Sequence, residues 1–401
     1  MTSVQPPARL HSLTGLRFIA AALVFAVHGS IQGVFADPAA GETYLFVAST
    51  AGYTGIVFFF VLSGFVLTWT ARETDTAKLF WRRRFFKIYP NHLVVFALAL
   101  GVLVWAGRQT DPVRVLTNLF LVQSWFPDET IVTDTVNVVT WSLSAEVFFY
   151  ASFPLLIALV RRIPVNHLWY WAGALVGTIL MVPVVSGAVL PDPPPELAGY
   201  GSFVQIWSIY FFPVARALEF VLGMLLARLV LAGRWIGPGL LPAAALTVAG
   251  YLVSLQLPLL FQFVAATVIP IALLIPAAAS ADVADRRTGL NSRVMVWLGE
   301  ISYAFFLTHF LVLSAGRLVM GGTPNEMGGI GGPAWSTPVG IGFLAACFGA
   351  AIVVSWLLFR FVEAPVMRRW SRPRRRPEAQ PAVPSPRRPD PATASAGVEA
   401  E

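Results

Sequence analysis

The chain has 401 residues, of which 56% are hydrophobic and 12% charged, with a net charge of +7 and a mean hydropathy of +0.69. An ordinary soluble domain carries about a quarter charged residues, so this composition excludes a soluble enzyme and points to a polytopic membrane protein. The single cysteine excludes a disulfide framework and a cysteine metal site; lying in an apolar run, Cys347 reads as a small buried side chain. The positive residues are nearly all Arg, gathered in short segments and the C-terminal stretch. They read as topology signals and anionic-lipid contacts rather than a nucleic-acid surface.

Apolar runs of about twenty residues follow one another along the chain. The first, Leu13 to about Val34, reads LTGLRFIAAALVFAVHGSIQGV and is too long for a cleavable signal peptide. A polar loop is expected from Asp37 to Ser49, then a second run from Gly52 to about Thr70. Arg72 to Lys87, with FWRRRFFKIYP, is the densest internal cluster of positive charge, which the positive-inside rule places in the cytoplasm. The third run spans about Ile88 to Trp105, with Pro90 near its start, followed by a longer outer connection from Gly107 to Thr140. Its stretch VLTNLFLVQSW suits the membrane interface. A fourth run, Trp141 to about Val160, ends in Arg161 and Arg162; a fifth covers about His167 to Val185, before an outer loop around Asp192 to Glu196.

The sixth spans about Phe203 to Leu231, and two more, about Pro238 to Leu255 and Leu259 to Ala279, are split by Gln256 and Pro258. A charged loop from Asp282 to Arg293 precedes a ninth run, about Val294 to Leu313; a glycine-rich outer loop and a tenth run, about Val339 to Phe361, follow. The expected fold is therefore an all-α bundle of about ten transmembrane helices with both termini cytoplasmic. Residues 1–12 would be a cytoplasmic N-terminus, 13–365 the membrane domain, and 366–401 a disordered basic, Pro-rich tail held near anionic lipid.

Ionisable groups at membrane depth are costly and are functional candidates by default. Arg17 and His28 lie eleven apart in the first run, which returns to nearly the same helix face about 16 Å higher. Ser142 and Glu146, in WSLSAEVFFY, share a face four apart, at the expected depth of His28. A carboxylate orienting an imidazole is an acid–base arrangement; the plainer alternative is that Ser142 caps the helix with Glu146 at its positive end. Arg82, Arg83, Arg84 and Lys87 are either a topology signal with an aromatic belt or a phosphate clamp. Arg216 and Glu219 either neutralise each other or touch a ligand. In WLGEISYAFFLTHFLV, Ser302 and His309 share a face while Tyr303 and Glu300 lie nearer the inner end; His309 also suits a helix–helix hydrogen bond. Glu363-Ala364-Pro365 reads as a helix stop, and His11, His92 and His167 as interfacial residues. No metal spacing, phosphate-cradling glycine loop or serine-hydrolase elbow is present in the sequence.

Five stretches, in order, resemble the acyltransferase 3 family of integral membrane acyltransferases: the first run from Leu13 to His28, GIVFFFVLSGFVLT, FWRRRFFKIYP, WSLSAEVFFY and WLGEISYAFFLTHFLV. The resemblance implies about ten membrane helices and transfer of an acyl group, often acetyl, from acyl-coenzyme A to a hydroxyl. Acceptors in the family are sugars of surface polysaccharides, lipid-linked glycans, peptidoglycan and macrolide-type metabolites. On this reading His28 is the general base and Glu146 orients or charge-balances it. Arg17, Arg82, Arg83, Arg84, Ser142, Arg216, Tyr303 and His309 are candidates for donor or substrate contact. No bound cofactor or metal is expected; acyl-coenzyme A is a co-substrate, the acceptor and membrane lipids are the partners, and the location is the plasma membrane. A proton-coupled transporter or flippase would also use buried Arg, His and Glu. Against it stand the lack of an internal repeat and of clearly broken helices in the sequence.

Overall fold

The computed structural model describes residues 10–72, 75–193, 201–324 and 330–370. The chain is helical almost throughout. Helix α1 runs His11–Ser30, α2 Pro38–Ala48, α3 Ala51–Thr70 and α4 Ala77–Trp105. After the short helices α5 (Pro112–Leu119) and α6 (Glu129–Val132) come α7 (Trp141–Arg162), α8 (Leu168–Val189) and the single turn α9 (Phe203–Ile206). Then follow α10 (Pro213–Leu231), α11 (Leu240–Ser254), the turn α12 (Leu259–Gln262), α13 (Val268–Val283), α14 (Arg293–Val319), α15 (Thr337–Leu358) and α16 (Ala364–Trp370). The sole sheet among the described residues is a two-residue antiparallel pair, β1 (Thr323–Pro324) with β2 (Ile330–Gly331).

Each of the ten predicted runs appears as a helix or a broken helix. Seven stretches are long and apolar enough to cross a membrane: 11–30, 38–70, 77–105, 138–162, 165–189, 293–319 and 337–370. The protein is thus an integral, multi-pass membrane protein. The other three runs are shorter or interrupted. The sixth run is broken by a π-turn at Trp207–Phe211, and Pro213 then opens α10. This corrects the expectation that no helix is clearly broken. Helices α11 and α13 have 15 and 16 residues because the chain between them folds as short turns around α12.

Four boundaries also differ. The segment expected as a loop from Asp37 forms α2, because Asp37 accepts from the Ala39 amide at 3.1 Å and Pro38 opens the helix. The Arg cluster is not a turn: Thr76 caps α4 and the helix starts at Ala77, which leaves Pro90 inside it. The Gly107–Thr140 connection folds back into the bundle, with Asn118, Gln123, Ser124, Asn137 and Thr140 all buried. Their amides and hydroxyls bond one another: Asn118 donates to Thr140 Oγ1 at 2.8 Å, and Ser124 to the Trp141 carbonyl at 2.8 Å. Finally, residues 366–370, assigned to the tail, complete α16; the rest of that tail and residues 1–9 lie outside the described residues.

Small residues bring the central helices together, as lipid supplies no hydrophobic drive between them. Helices α3 and α10 cross at Gly64 and Gly223: a Cβ at Gly64 would lie 1.8 Å from the Phe220 carbonyl oxygen, and one at Gly223 1.9 Å from that of Val61. Helix α1 meets α14 in the same way at its lower end, where a Cβ on Gly299 would lie 1.9 Å from the Thr14 carbonyl oxygen. Gly223→Ala must push two backbones apart and is expected to cost about 1–3 kcal/mol or more, read as a lower thermal midpoint in detergent; an unchanged midpoint would contradict this crossing. At the other end, the chain after α1 is tied to that after β2: Trp335 donates to the Val34 carbonyl at 2.9 Å and Ala36 to that of Trp335 at 2.7 Å. Arg317 of α14, 1% exposed, packs its guanidinium over the Trp335 ring and donates to the Pro333 carbonyl at 2.9 Å.

Candidate active site

Two polar centres lie along α1, one at each end. The upper one is a pair of histidines. Helix α1 packs along α14, and this brings His28 Nδ1 to 2.9 Å from His309 Nε2. His309 is fully buried, and its Nδ1 lies 3.1 Å from the Phe305 carbonyl. A carbonyl only accepts, so His309 Nδ1 carries the proton. In the neutral ring its Nε2 then offers a lone pair and receives the hydrogen from His28 Nδ1. The chain of bonds leaves His28 Nε2 with a lone pair on a half-buried ring. Phe310 meets the His28 ring edge to face at 5.2 Å, and Phe25, Phe305 and Phe306 surround His309. One turn beyond, Gln32 donates to the His28 carbonyl at 3.2 Å, while its own buried Oε1 has no partner.

The lower centre gathers charge from several helices. Arg84 and Lys87 of α4 are three apart and share a stripe with Asn91. Lys87 forms an ion pair with Glu363, and Asn91 donates to the other oxygen of that carboxylate at 2.6 Å. Lys87 Nζ also lies 5.4 Å from the centre of the Tyr303 ring, whose hydroxyl donates to the Ile88 carbonyl at 3.2 Å. Arg84 sits over the rings of Phe80 and Tyr150, with its buried Nε unpartnered. Tyr150 donates to Glu146 at 3.4 Å. Arg17, Arg84 and Lys87 lie near enough to Glu146 for their charges to reach it, without forming an ion pair with it among the described residues. Beside this cluster a cavity of about 190 Å³ opens between α3, α4 and α7, with Arg72, Arg83, Arg84 and Arg161 in its walls.

Glu146 is therefore not the partner of His28; His309 is. The expected match in depth fails because the connection before α7 re-enters the bundle. The first turn of α7, Trp141 to Ala145, is already buried, and Glu146 bonds Tyr150 one turn further along the helix. Ser142 neither caps the helix nor faces the histidines: its hydroxyl donates to the Val139 carbonyl at 3.1 Å. Arg216 is sealed with Glu219 at 2.9 Å, the two side chains 1% and 2% exposed, under the Phe60 and Tyr210 rings, away from both centres. Arg82 is exposed. Arg83 forks onto Asp75 at 3.0 and 2.6 Å, which holds that carboxyl below the usual range. Tyr303 and Arg84 both lie in the lower centre.

Sequence reasoning missed Glu363. Glu-Ala-Pro reads as a stop, yet the helix continues, and a π-turn at Phe359–Glu363 turns the carboxylate inward, 2% exposed. Such a turn is often found at functional sites, but it has no residue signature by which the sequence could announce it. His92 was also misjudged: it is buried and bonds the Leu119 carbonyl at 3.1 Å, fastening the re-entrant connection to α4. Among the described residues, no three His, Cys, Asp or Glu side chains come together in a way that could hold a metal ion.

A histidine pair that leaves one imidazole nitrogen unbonded and a cluster of charged side chains are thus the two polar centres of the fold. The sequence belongs to the Acyl_transf_3 family: the family model, described as an acyltransferase domain, matches residues 10–360. The chain is 43% identical over 395 residues to "Acyltransferase MdmB" of Streptomyces mycarofaciens, covering 97% of each protein. No solved structure matches. The protein is thus an acyltransferase, a transferase that carries an acyl group from a donor to an acceptor.

Proposed function

We propose that the protein is an O-acyltransferase that takes an acyl group, often acetyl, from cytoplasmic acyl-coenzyme A. The acceptor is a hydroxyl of a sugar, a cell-envelope glycan or a macrolide-type metabolite. The observation that carries this reading is the bond chain from the Phe305 carbonyl through His309, which leaves His28 Nε2 free to accept a proton. The cationic centre about three turns below on the same helix suits the phosphates of coenzyme A, since guanidinium groups make forked, charge-assisted bonds to phosphate. With the Arg-rich ends inside, the phosphates would lie near Arg17 and Arg84 and the flexible pantetheine arm would reach up to His28. That orientation puts both termini in the cytoplasm and the enzyme in the plasma membrane.

In the reaction the acceptor O–H gives its proton to His28 Nε2 as the oxygen attacks the thioester carbonyl. The C–S bond then breaks, and the sulfur leaves with the proton from the imidazolium. His309 holds the ring and shares the transient positive charge through the Nδ1–H bond. Glu146 serves the other centre, balancing Arg17, Arg84 and Lys87. Lys87 is held in turn by Glu363, whose other oxygen accepts from Asn91.

Release of free coenzyme A by purified protein supplied with acetyl-coenzyme A, with and without acceptors, tests the reading. No release with any acyl-coenzyme A, together with proton-coupled uptake in vesicles, would favour the carrier alternative, which the broken helix at Phe212–Pro213 also suits. Arg17→Ala is expected to raise the KM for the donor about tenfold or more, the loss of a hydrogen bond to a charged group, with a smaller change in kcat. A donor KM equal to wild type would remove Arg17 from the phosphate site.

A further inference from the structure

One large cavity in the fold lies at neither centre. It holds about 1000 Å³ and lies between α1, α11 and α13. Its walls are apolar, including Leu16, Ile19 and Leu23 of α1 and Leu274 and Ala277 of α13. These α1 positions point about 110–170° away from the Arg17 and His28 face at 100° per residue. The helix therefore separates the cavity from the catalytic side. The opposite wall is α11, which buries only Ala243 and Ser254 and leaves Leu241 and Val248 exposed on the surface a bilayer would cover. Apolar walls do not retain water, so the occupant has hydrocarbon chains and enters from the bilayer.

The mouth has a different character. Arg286, Arg287 and Thr288 rim one end, with Trp235 beside them. Both arginines are exposed, and neither forms an ion pair among the described residues. Asp282 and Asp285, on the same turn, are not in the walls; Asp282 spends its oxygens on the amide and hydroxyl of Ser12, at 2.6–3.1 Å. A tryptophan and two free guanidinium groups above an apolar cleft match a lipid headgroup at the interface.

We propose that this cavity is a binding site for one anionic phospholipid. Its acyl chains fill the space between α1, α11 and α13, and its phosphate is held by Arg286 and Arg287. The charge at the mouth selects an anionic over a zwitterionic lipid, and the occupant buttresses α1 from behind the catalytic face.

The test is a thermal-shift and native mass-spectrometry titration of the delipidated protein in detergent, with phosphatidylglycerol, phosphatidylcholine or inorganic phosphate. Phosphatidylglycerol is expected to bind and to raise the midpoint at lower concentration than phosphatidylcholine. Arg286→Gln and Arg287→Gln, both at exposed positions, should each weaken it about fivefold. Thr247→Phe, which fills the cavity from α11, should abolish retention of the lipid. Equal binding of the two lipids with no effect of the Gln variants would overturn the proposal, as would an equal shift from phosphate alone. None of these readouts uses activity, so they stand or fall separately from the acyl-transfer reading.

Discussion

His28→Ala should lower acyl transfer by about 10²–10⁴-fold, the usual contribution of a positioned general base, with donor affinity close to wild type and a thermal midpoint lowered by loss of the bond to buried His309, worth about 1–3 kcal/mol. The imidazole is half-buried at the end of α1, and its removal leaves no buried charge behind. Its Nε2, left free by the bond chain, is the proposed base, and the donor phosphates are proposed to lie three turns lower. Coenzyme A release and donor binding by calorimetry, measured on the same preparation, separate the two functions. His309→Phe should give an intermediate loss, because the ring then has lost its tether but kept its basic nitrogen. Transfer at the wild-type rate in His28→Ala would end the proposed mechanism.

Glu219→Leu should destabilise the protein by about 3–5 kcal/mol, because it strands a guanidinium in a sealed, apolar environment. Arg216 is 1% exposed and lies under the Phe60 and Tyr210 rings, and its sole ion-pair partner among the described residues is Glu219. The double variant Arg216→Met, Glu219→Leu removes both charges and should recover most of that loss, since a buried ion pair contributes little over well-packed apolar residues. Acyl transfer in the double variant should stay near the wild-type level. A double variant that is stable but inactive would instead assign the pair to substrate binding.

The helical runs were legible because bilayer thickness imposes a length that single residues cannot disguise. Arg17 and His28 were legible for a related reason: in an apolar helix an ionisable group stands out, and a spacing of eleven fixes its face. Pairing between helices was not. Glu146 was assigned to His28 on the assumption that α7 begins at the membrane surface. Buried bonds such as Asn118 to Thr140 draw the preceding connection inward and lower the whole helix. His309 was seen as a helix–helix bond, yet nothing in α1 named its partner. Among the four cations from Arg82 to Lys87, the inward pair depends on the phase of α4, which Thr76 sets by capping at a point where the charge pattern suggested a turn. Glu363 depended on a π-turn that has no residue signature of its own.

Helix α1 meets the same neighbour at both ends: backbone against backbone at Gly299 and Thr14, and ring against ring at His28 and His309. The tie from Val34 and Ala36 to Trp335, itself packed on Arg317 of α14, adds a third fastening. A rod pinned at three points to one partner neither slides nor swivels past it. It behaves as a strut, and the separation of Arg17 from His28 is a fixed dimension of the machine. The moving parts must then be sought elsewhere. Interruptions of regular helix lie outside α1: Pro90 inside α4, the re-entrant connection before α7, and the break at Phe212–Pro213.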